Sequence, residues 1–189
     1  MATAGPNTPG TIAEQSLGIP PGTGPWADLA NAASDNGVYA SSTTISETGN
    51  QETTYLKCTG FGFAIPAGST INGFQVTTQA KKTNVVGTTA GISSQKRRMV
   101  KGGTVQSTDL TNAGSQITTS EASYTHGSAS DLGGASWTAA DVNASDFGVA
   151  LSWRVQTLGS DTARVDIDVV TITVHYTPPA GFSFGAVLG

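Results

Sequence analysis

An all-β, antiparallel, jelly-roll-like β-sandwich with extended N- and C-terminal arms is the fold class that this sequence predicts, on three observations. The run ARVDIDVVTITVHYT, from Ala163 to Thr177, has the β-branched content of a long buried strand. Phe147, Val149, Leu151, Trp153 and Val155 alternate without a break against Gly148, Ala150, Ser152 and Arg154, the period of a half-buried strand. Turn residues punctuate the chain throughout, and few apolar runs reach helical length.

The chain of 189 residues is long enough for one domain with a substantial core, and only 12% of it is charged. Abundant Ser and Thr with few charges point to a folded, hydroxyl-rich surface rather than to disorder. Cys58 is the only cysteine, which excludes an internal disulfide and a thiolate-rich metal site. The stretch MATAGPNTPG has no basic segment leading into an apolar one, and no run approaches the roughly 20 apolar residues of a membrane span. The expectation is therefore a protein without a signal peptide and without a membrane partner. A net charge of -4 argues against general nucleic-acid binding, which needs an excess of clustered Lys and Arg.

Taken in order, residues 1–25 carry Pro6, Pro9, Pro20, Pro21 and Pro25 among many glycines, and read as an extended N-terminal arm. Ile12, Leu17 and Ile19 would let this arm order against a neighbour; a disordered leader is the competing reading. Residues 26–177 form the sandwich domain. Trp26–Ala33 is a short strand or loop packed by Trp26, and Asp35, Asn36 and Gly37 make a turn before Val38 and Tyr39. A polar loop over Ser41–Gln51 leads to a strand over Tyr55–Ile65, with its parity changing at Gly60. PAGS at residues 66–69 turns the chain into a strand over Ile71–Lys82, with Phe74, Val76, Thr78 and Ala80 on one face; these two strands are expected to pair. Ser93–Lys101 is a strand closed by Gly102 and Gly103, a weak strand falls at Gln116–Thr119, and residues 123–136 read as loop. Thr138 sits where an N-cap belongs, with Asp141 three residues on, so a helical turn is expected in Trp137–Ala144. The alternating strand should then pair with Ala163–Thr177 across a turn at Leu158–Thr162. Within that last strand the apolar parity slips between Val169 and Val170, which requires a bulge, and Asp166 and Asp168 fall on what should be a solvated face. Pro178 and Pro179 stop it, leaving residues 178–189 as an apolar tail in which Phe182, Phe184, Val187 and Leu188 would insert into a partner subunit or fold back.

Chemistry is sparse. His126 and His175 are the only imidazoles, and no nucleophile elbow, zinc motif or phosphate loop accompanies them, so no catalytic residue, cofactor or metal site is assigned. Asp166 and Asp168, with or without Asp161, have a spacing compatible with acid–base chemistry or a hard cation, but also with a solvated face paired to Arg164. Lys81, Lys82, Lys96, Arg97, Arg98 and Lys101 would share one edge if their segments formed a hairpin, giving either a docking patch for an acidic surface or an edge guarded against aggregation. Trp26, Trp137 and Tyr39 raise glycan binding, with core packing as the competing role.

Several stretches together carry a resemblance: DNGVYAS at 35–41, GFGFAIPAGSTINGF at 60–74, VKGG at 100–103, WTAADVNASDFGV at 137–149 and the strand at 163–177. The chain resembles single-domain β-sandwich structural proteins of tailed-phage virions, the capsid decoration, cement or tail-associated subunits, over about residues 26–177. This resemblance implies a non-enzymatic virion structural protein on the virion surface, assembled in the host cytoplasm. Its partners would be the major capsid protein or other virion subunits, and it would form a homo-oligomer such as a trimer. The alternative is a glycan- or receptor-binding module of adhesin or tail-fibre type.

Overall fold

In the computed structural model, which describes residues 1–17, 22–23, 26–46, 51–87, 91–112, 116–155 and 161–181, two sheets face each other across the main apolar core. The strands are β1 (Ala2–Asn7), β2 (Thr11–Gln15), β3 (Gly22–Thr23), β4 (Ala40–Ser41), β5 (Ile45–Ser46), β6 (Glu52–Thr53), β7 (Tyr55–Thr59), β8 (Thr70–Val86), β9 (Ile92–Lys101), β10 (Thr104–Asp109), β11 (Gln116–Ile117), β12 (Ala122–Gly127), β13 (Gly148–Val155) and β14 (Thr162–Thr177). A 3-10 turn at Leu29–Ala32 and the short helix α1 (Ala139–Asn143) complete the described elements.

One sheet runs β1-β14-β8-β12, with β4 and β5 continuing the β1 edge along β14; the other runs β10-β9-β13-β7-β2, with β11, β6 and β3 as short additions. Count the eight principal strands β1, β7, β8, β9, β10, β12, β13 and β14 in chain order. The first sheet then reads first, eighth, third, sixth, and the second reads second, seventh, fourth, fifth. That interleaving is the jelly roll.

The topology corrects two expected pairings and removes the hairpin on which a common basic edge depended. β7 and β8 lie in opposite sheets, as do β8 and β9, and β13 and β14. In each case the chain passes from one sheet to the other instead of continuing within one. The physical reason is that strands this apolar on one side need a facing layer about 10 Å away, and an arch supplies it as readily as a hairpin does. Among the described residues the one tight hairpin joins β9 to β10, where Lys101 pairs with Thr104 and both Gly102 and Gly103 have positive φ.

The expected N-terminal arm is extended, but it does not lie outside the sandwich: β1 pairs with β14 and β2 with β7, so the first fifteen residues border both sheets. Pro6 is accommodated because it falls on an outer strand, within the register shift between Ala4 and Asn7. Residues 123–136 are also not all loop. β12 takes Ala122–Gly127 and buries only Tyr124 and His126 with Gly127, a signal too short to read in the sequence.

Other expectations hold. β8 buries Phe74, Val76, Thr78 and Ala80 together, and α1 opens on Thr138 with a reciprocal capping box to Asp141. The parity slip in β14 is a bulge: Ile167 pairs with Ala80 and Val169 with Gln79, leaving Asp168 as the extra residue. The core is sealed at one end by Phe74, Phe147 and Trp137, whose ring centroids lie 5.0–5.6 Å apart.

Candidate functional surfaces

The β14 bulge decides what Asp166 and Asp168 do. An extra residue re-aims the side chains around it, and the chain from Ala27 to Ile45 then covers them: β4 and β5 pair with β14, and Ala33 bridges to Val169. Both aspartates are fully buried, at 1% and 0% exposure, which overturns the expected wet face. Asp168 accepts the backbone N–H of Asn36 at 3.1 Å and of Gly37 at 3.0 Å, one on each carboxylate oxygen. Asp166 accepts the hydroxyls of Ser41 and Thr83 and pairs with Arg164 at 3.0 Å. These carboxylates act as clamps on the covering segment.

Around that clamp Asp35, Glu121 and Asp168 place carboxylate oxygens within 4.8 Å of one another. The Glu121 carboxylate raises the pKa of the Tyr39 hydroxyl that it faces, with burial adding, and the Lys81 ammonium sits 3.7 Å above the Tyr39 ring. Asp161, the third member of the cation set considered from sequence, is not in this trio.

The six basic residues do not form one patch. Lys81 and Lys82 are on β8 and the other four on β9, in opposite sheets. Lys96 reaches Glu52 at 3.8 Å, Arg98 reaches Asp109 at 3.5 Å, and Lys101 reaches Asp141 at 3.0 Å and the carbonyl of Ser136. Arg97 is not a surface residue at all: it is 6% exposed, and its guanidinium donates to the carbonyls of Leu110, Ser94 and Gln95. A guanidinium can be buried in this way because its fork of donors matches three carbonyls at once, those of Ser94 and Gln95 at the β9 register shift and that of Leu110 just past β10.

Of the arm residues, Ile12 packs half-buried against the core and Leu17 against Tyr55, Val100 and Ala150. Ile19, Phe182, Phe184, Val187 and Leu188 lie outside the described residues. Trp26 and Trp137, at 6% and 8% exposure, stack edge-on with Trp153 and with Phe74 and Phe147. Neither offers an open ring face for a sugar.

His126 is buried on the inner face of β12, with Nδ1 2.8 Å from the carbonyl oxygen of Asn112; burial lowers its pKa, the Asn112 carbonyl opposes this, and the Arg97 charge adds to it. His175 is half-buried on β14 opposite Thr3 and Gly73. Among the described residues neither imidazole has a carboxylate partner. An open depression of about 430 Å³ lies at the sealed end of the core, lined by residues 67–70 and 137–140, with no ionisable side chain in its wall. The burial of Arg97 and the depression were both missed in the sequence. A lone basic residue at an inward parity of β9 was the available signal for Arg97, whereas the depression has none. No family model, curated protein or solved structure matches the chain.

Proposed function

We propose that this chain is a non-enzymatic structural subunit of a tailed-phage virion, holding capsid or tail surfaces together by burying its sheet edges against neighbouring subunits. The observation that supports this most is where the ionisable groups go. Asp166, Asp168, Arg97 and His126, the buried groups with the chemistry an enzyme would use, are each engaged in holding a loop or a strand end. A jelly roll with hydroxyl-rich outer faces is a rigid block whose remaining resource is its surface, and burial of that surface stabilises an assembly by mass action. The packed state of Trp26 and Trp137 favours this reading over glycan binding by ring stacking.

The test is to purify particles from lysates of the host through a density gradient and quantify this chain by mass spectrometry. The expected result is a fixed stoichiometry to the major shell or tube protein that survives banding. Recovery only in the soluble fraction, with none on particles, rejects the proposal.

A further inference from the structure

The sequence holds two Asn-Gly dipeptides, Asn36-Gly37 and Asn72-Gly73. In such a pair the backbone nitrogen of the glycine can attack the asparagine side-chain amide, because no side chain on the glycine shields it. Asn72-Gly73 is closed to this reaction: both residues lie within β8, Gly73 is paired to His175, and the Asn72 amide donates to the Thr177 hydroxyl at 2.9 Å. Asn36-Gly37 is arranged differently. Both residues are exposed, Gly37 has φ +74, and nothing lies within 4 Å of where its Cβ would be. Each group that takes part in the attack also has a partner. The Gly37 N–H donates to Oδ2 of the buried Asp168 at 3.0 Å, the Asn36 side-chain oxygen accepts the Val38 N–H at 3.0 Å, and Asn36 Nδ2 donates to the Ser34 hydroxyl oxygen at 3.0 Å.

We infer that Asn36 is a self-modification site, at which the Asp168 carboxylate assists conversion of the asparagine to aspartate and isoaspartate through a cyclic imide. The Gly37 nitrogen forms a bond to Cγ of Asn36 as its proton passes to Oδ2 of Asp168, which stands where a general base belongs. The Val38 N–H faces the oxygen on which charge develops, as an oxyanion donor does. The Cγ–Nδ2 bond then breaks, and ammonia leaves with a solvent proton delivered by way of the exposed Ser34 hydroxyl; Asp168 returns its own proton to solvent afterwards. Water opens the imide at either carbonyl. One product is aspartate on the original backbone, and the other is isoaspartate, whose backbone is longer by one methylene. Either product adds a carboxylate beside Asp35, Glu121 and Asp168, and isoaspartate also shifts the Gly37 N–H out of register with Asp168. The clamp on the segment from Ala27 to Ile45 therefore carries the chemistry of its own slow release. The reaction is a single turnover within the chain, and the inference does not depend on the virion reading.

The test incubates the full chain at neutral pH, folded and in guanidinium, and follows positions 36 and 72 by peptide mass spectrometry with fragmentation that separates isoaspartate from aspartate. The folded chain is expected to convert Asn36 at least about tenfold faster than the denatured chain, a fraction of the ~10²–10⁴ that a positioned base supplies. Asn72 should stay unconverted in the folded chain over the same period. A folded rate at Asn36 no higher than the denatured rate overturns the inference, since the Asp168 bond then protects the amide. Conversion of Asn72 as fast as Asn36 does so too, because the dipeptide alone then sets the rate. Asp168→Asn loosens the loop, which by itself speeds the reaction, so a slowing in this variant, expected to be about tenfold, is specific to the base. An unchanged or faster rate overturns the inference. The pH profile is a readout that a purely structural role does not move: conversion in the denatured chain rises about tenfold per pH unit as hydroxide takes the proton, and in the folded chain it should rise less than about threefold. Equal slopes also overturn the inference, and this comparison of the parent chain in its two states stands whether or not the variant folds.

Discussion

Replacing Asp168 by Asn separates the clamp from the solvated-face reading more sharply than any other substitution. In the folded chain each oxygen of Asp168 takes one backbone N–H, from Asn36 and from Gly37, at full burial. The amide keeps one acceptor but turns an NH₂ toward the other N–H, so one bond is lost and two donors oppose each other. Hydrogen bonds to a charged group are worth ~1.5–3 kcal/mol each, and leaving a donor unpaired adds a cost of similar size. The neighbouring carboxylates of Asp35 and Glu121, both exposed, repel Asp168, and removing its charge relieves that repulsion. Because Asp35 and Glu121 are solvated, each repulsion is held to about 1 kcal/mol, so the relief offsets part of the loss without reversing its sign.

The net expected loss is about 3 kcal/mol, a large part of the ~5–15 kcal/mol that folds a domain. For a chain of this size it corresponds to a fall in Tm of roughly 6–12 °C. Urea unfolding followed by tryptophan fluorescence measures it, with Asp35→Asn as the control that removes a carboxylate of the same trio without touching the clamp. If Asp168→Asn stays within about 0.5 kcal/mol of the parent, the carboxylate is solvated and the account of β14 given above is wrong.

Three further outcomes follow from the packing. Gly148→Ala should cost more than about 3 kcal/mol or prevent recovery of soluble protein, because its Cβ would clash with the carbonyl oxygen of Cys58 on the paired strand; expression yield and urea midpoint report it. His126, held below its ordinary 6.5 chiefly by burial, takes up its proton in the unfolded chain first, so its contribution to stability is complete above that pH and is lost as pH falls below it. Urea midpoints from pH 8 to 5 should therefore decline below about 6.5 in the parent and flatten in His126→Gln, while Asp131 and Asp141, both held below the carboxylate value of 3.8, act only at lower pH. Thr138→Ala removes the N-cap of α1 and should cost about 1 kcal/mol in the same assay, a loss confined to the helix end if amide exchange quickens there alone.

What the sequence disclosed about this fold was whatever a single strand or turn encodes by itself. The parity of Phe147 to Trp153 and of Phe74 to Ala80 placed two strands, and the Thr138–Asp141 spacing placed a cap, because each signal is complete within a few residues. The slip near Val169 located the bulge to within two positions for the same reason. What it did not disclose was anything that depends on the facing layer. Gly and Pro mark where a strand ends without marking whether the chain returns beside it or crosses to the other sheet, so two crossings were read as pairings and a third was entertained as a hairpin.

The misplaced site follows from the misplaced arches. Once β8 and β9 are assigned to one hairpin, Lys81 and Arg97 fall on a common edge and a basic patch appears; once they are separated by the core, Lys81 covers Tyr39 outside one sheet while Arg97 points into the sandwich from the other. Asp166 and Asp168 were misjudged through the same blindness to layers. Alternation with valine predicts an outer face for them, but cannot predict that Asn36 and Gly37, some 130 residues earlier in the chain, bring two unpaired N–H groups to lie against that face. In a jelly roll whose charged residues are this few, the destination of each one is fixed by strand order before it is fixed by its neighbours in sequence. Surface chemistry inferred for such a chain therefore has to wait on topology.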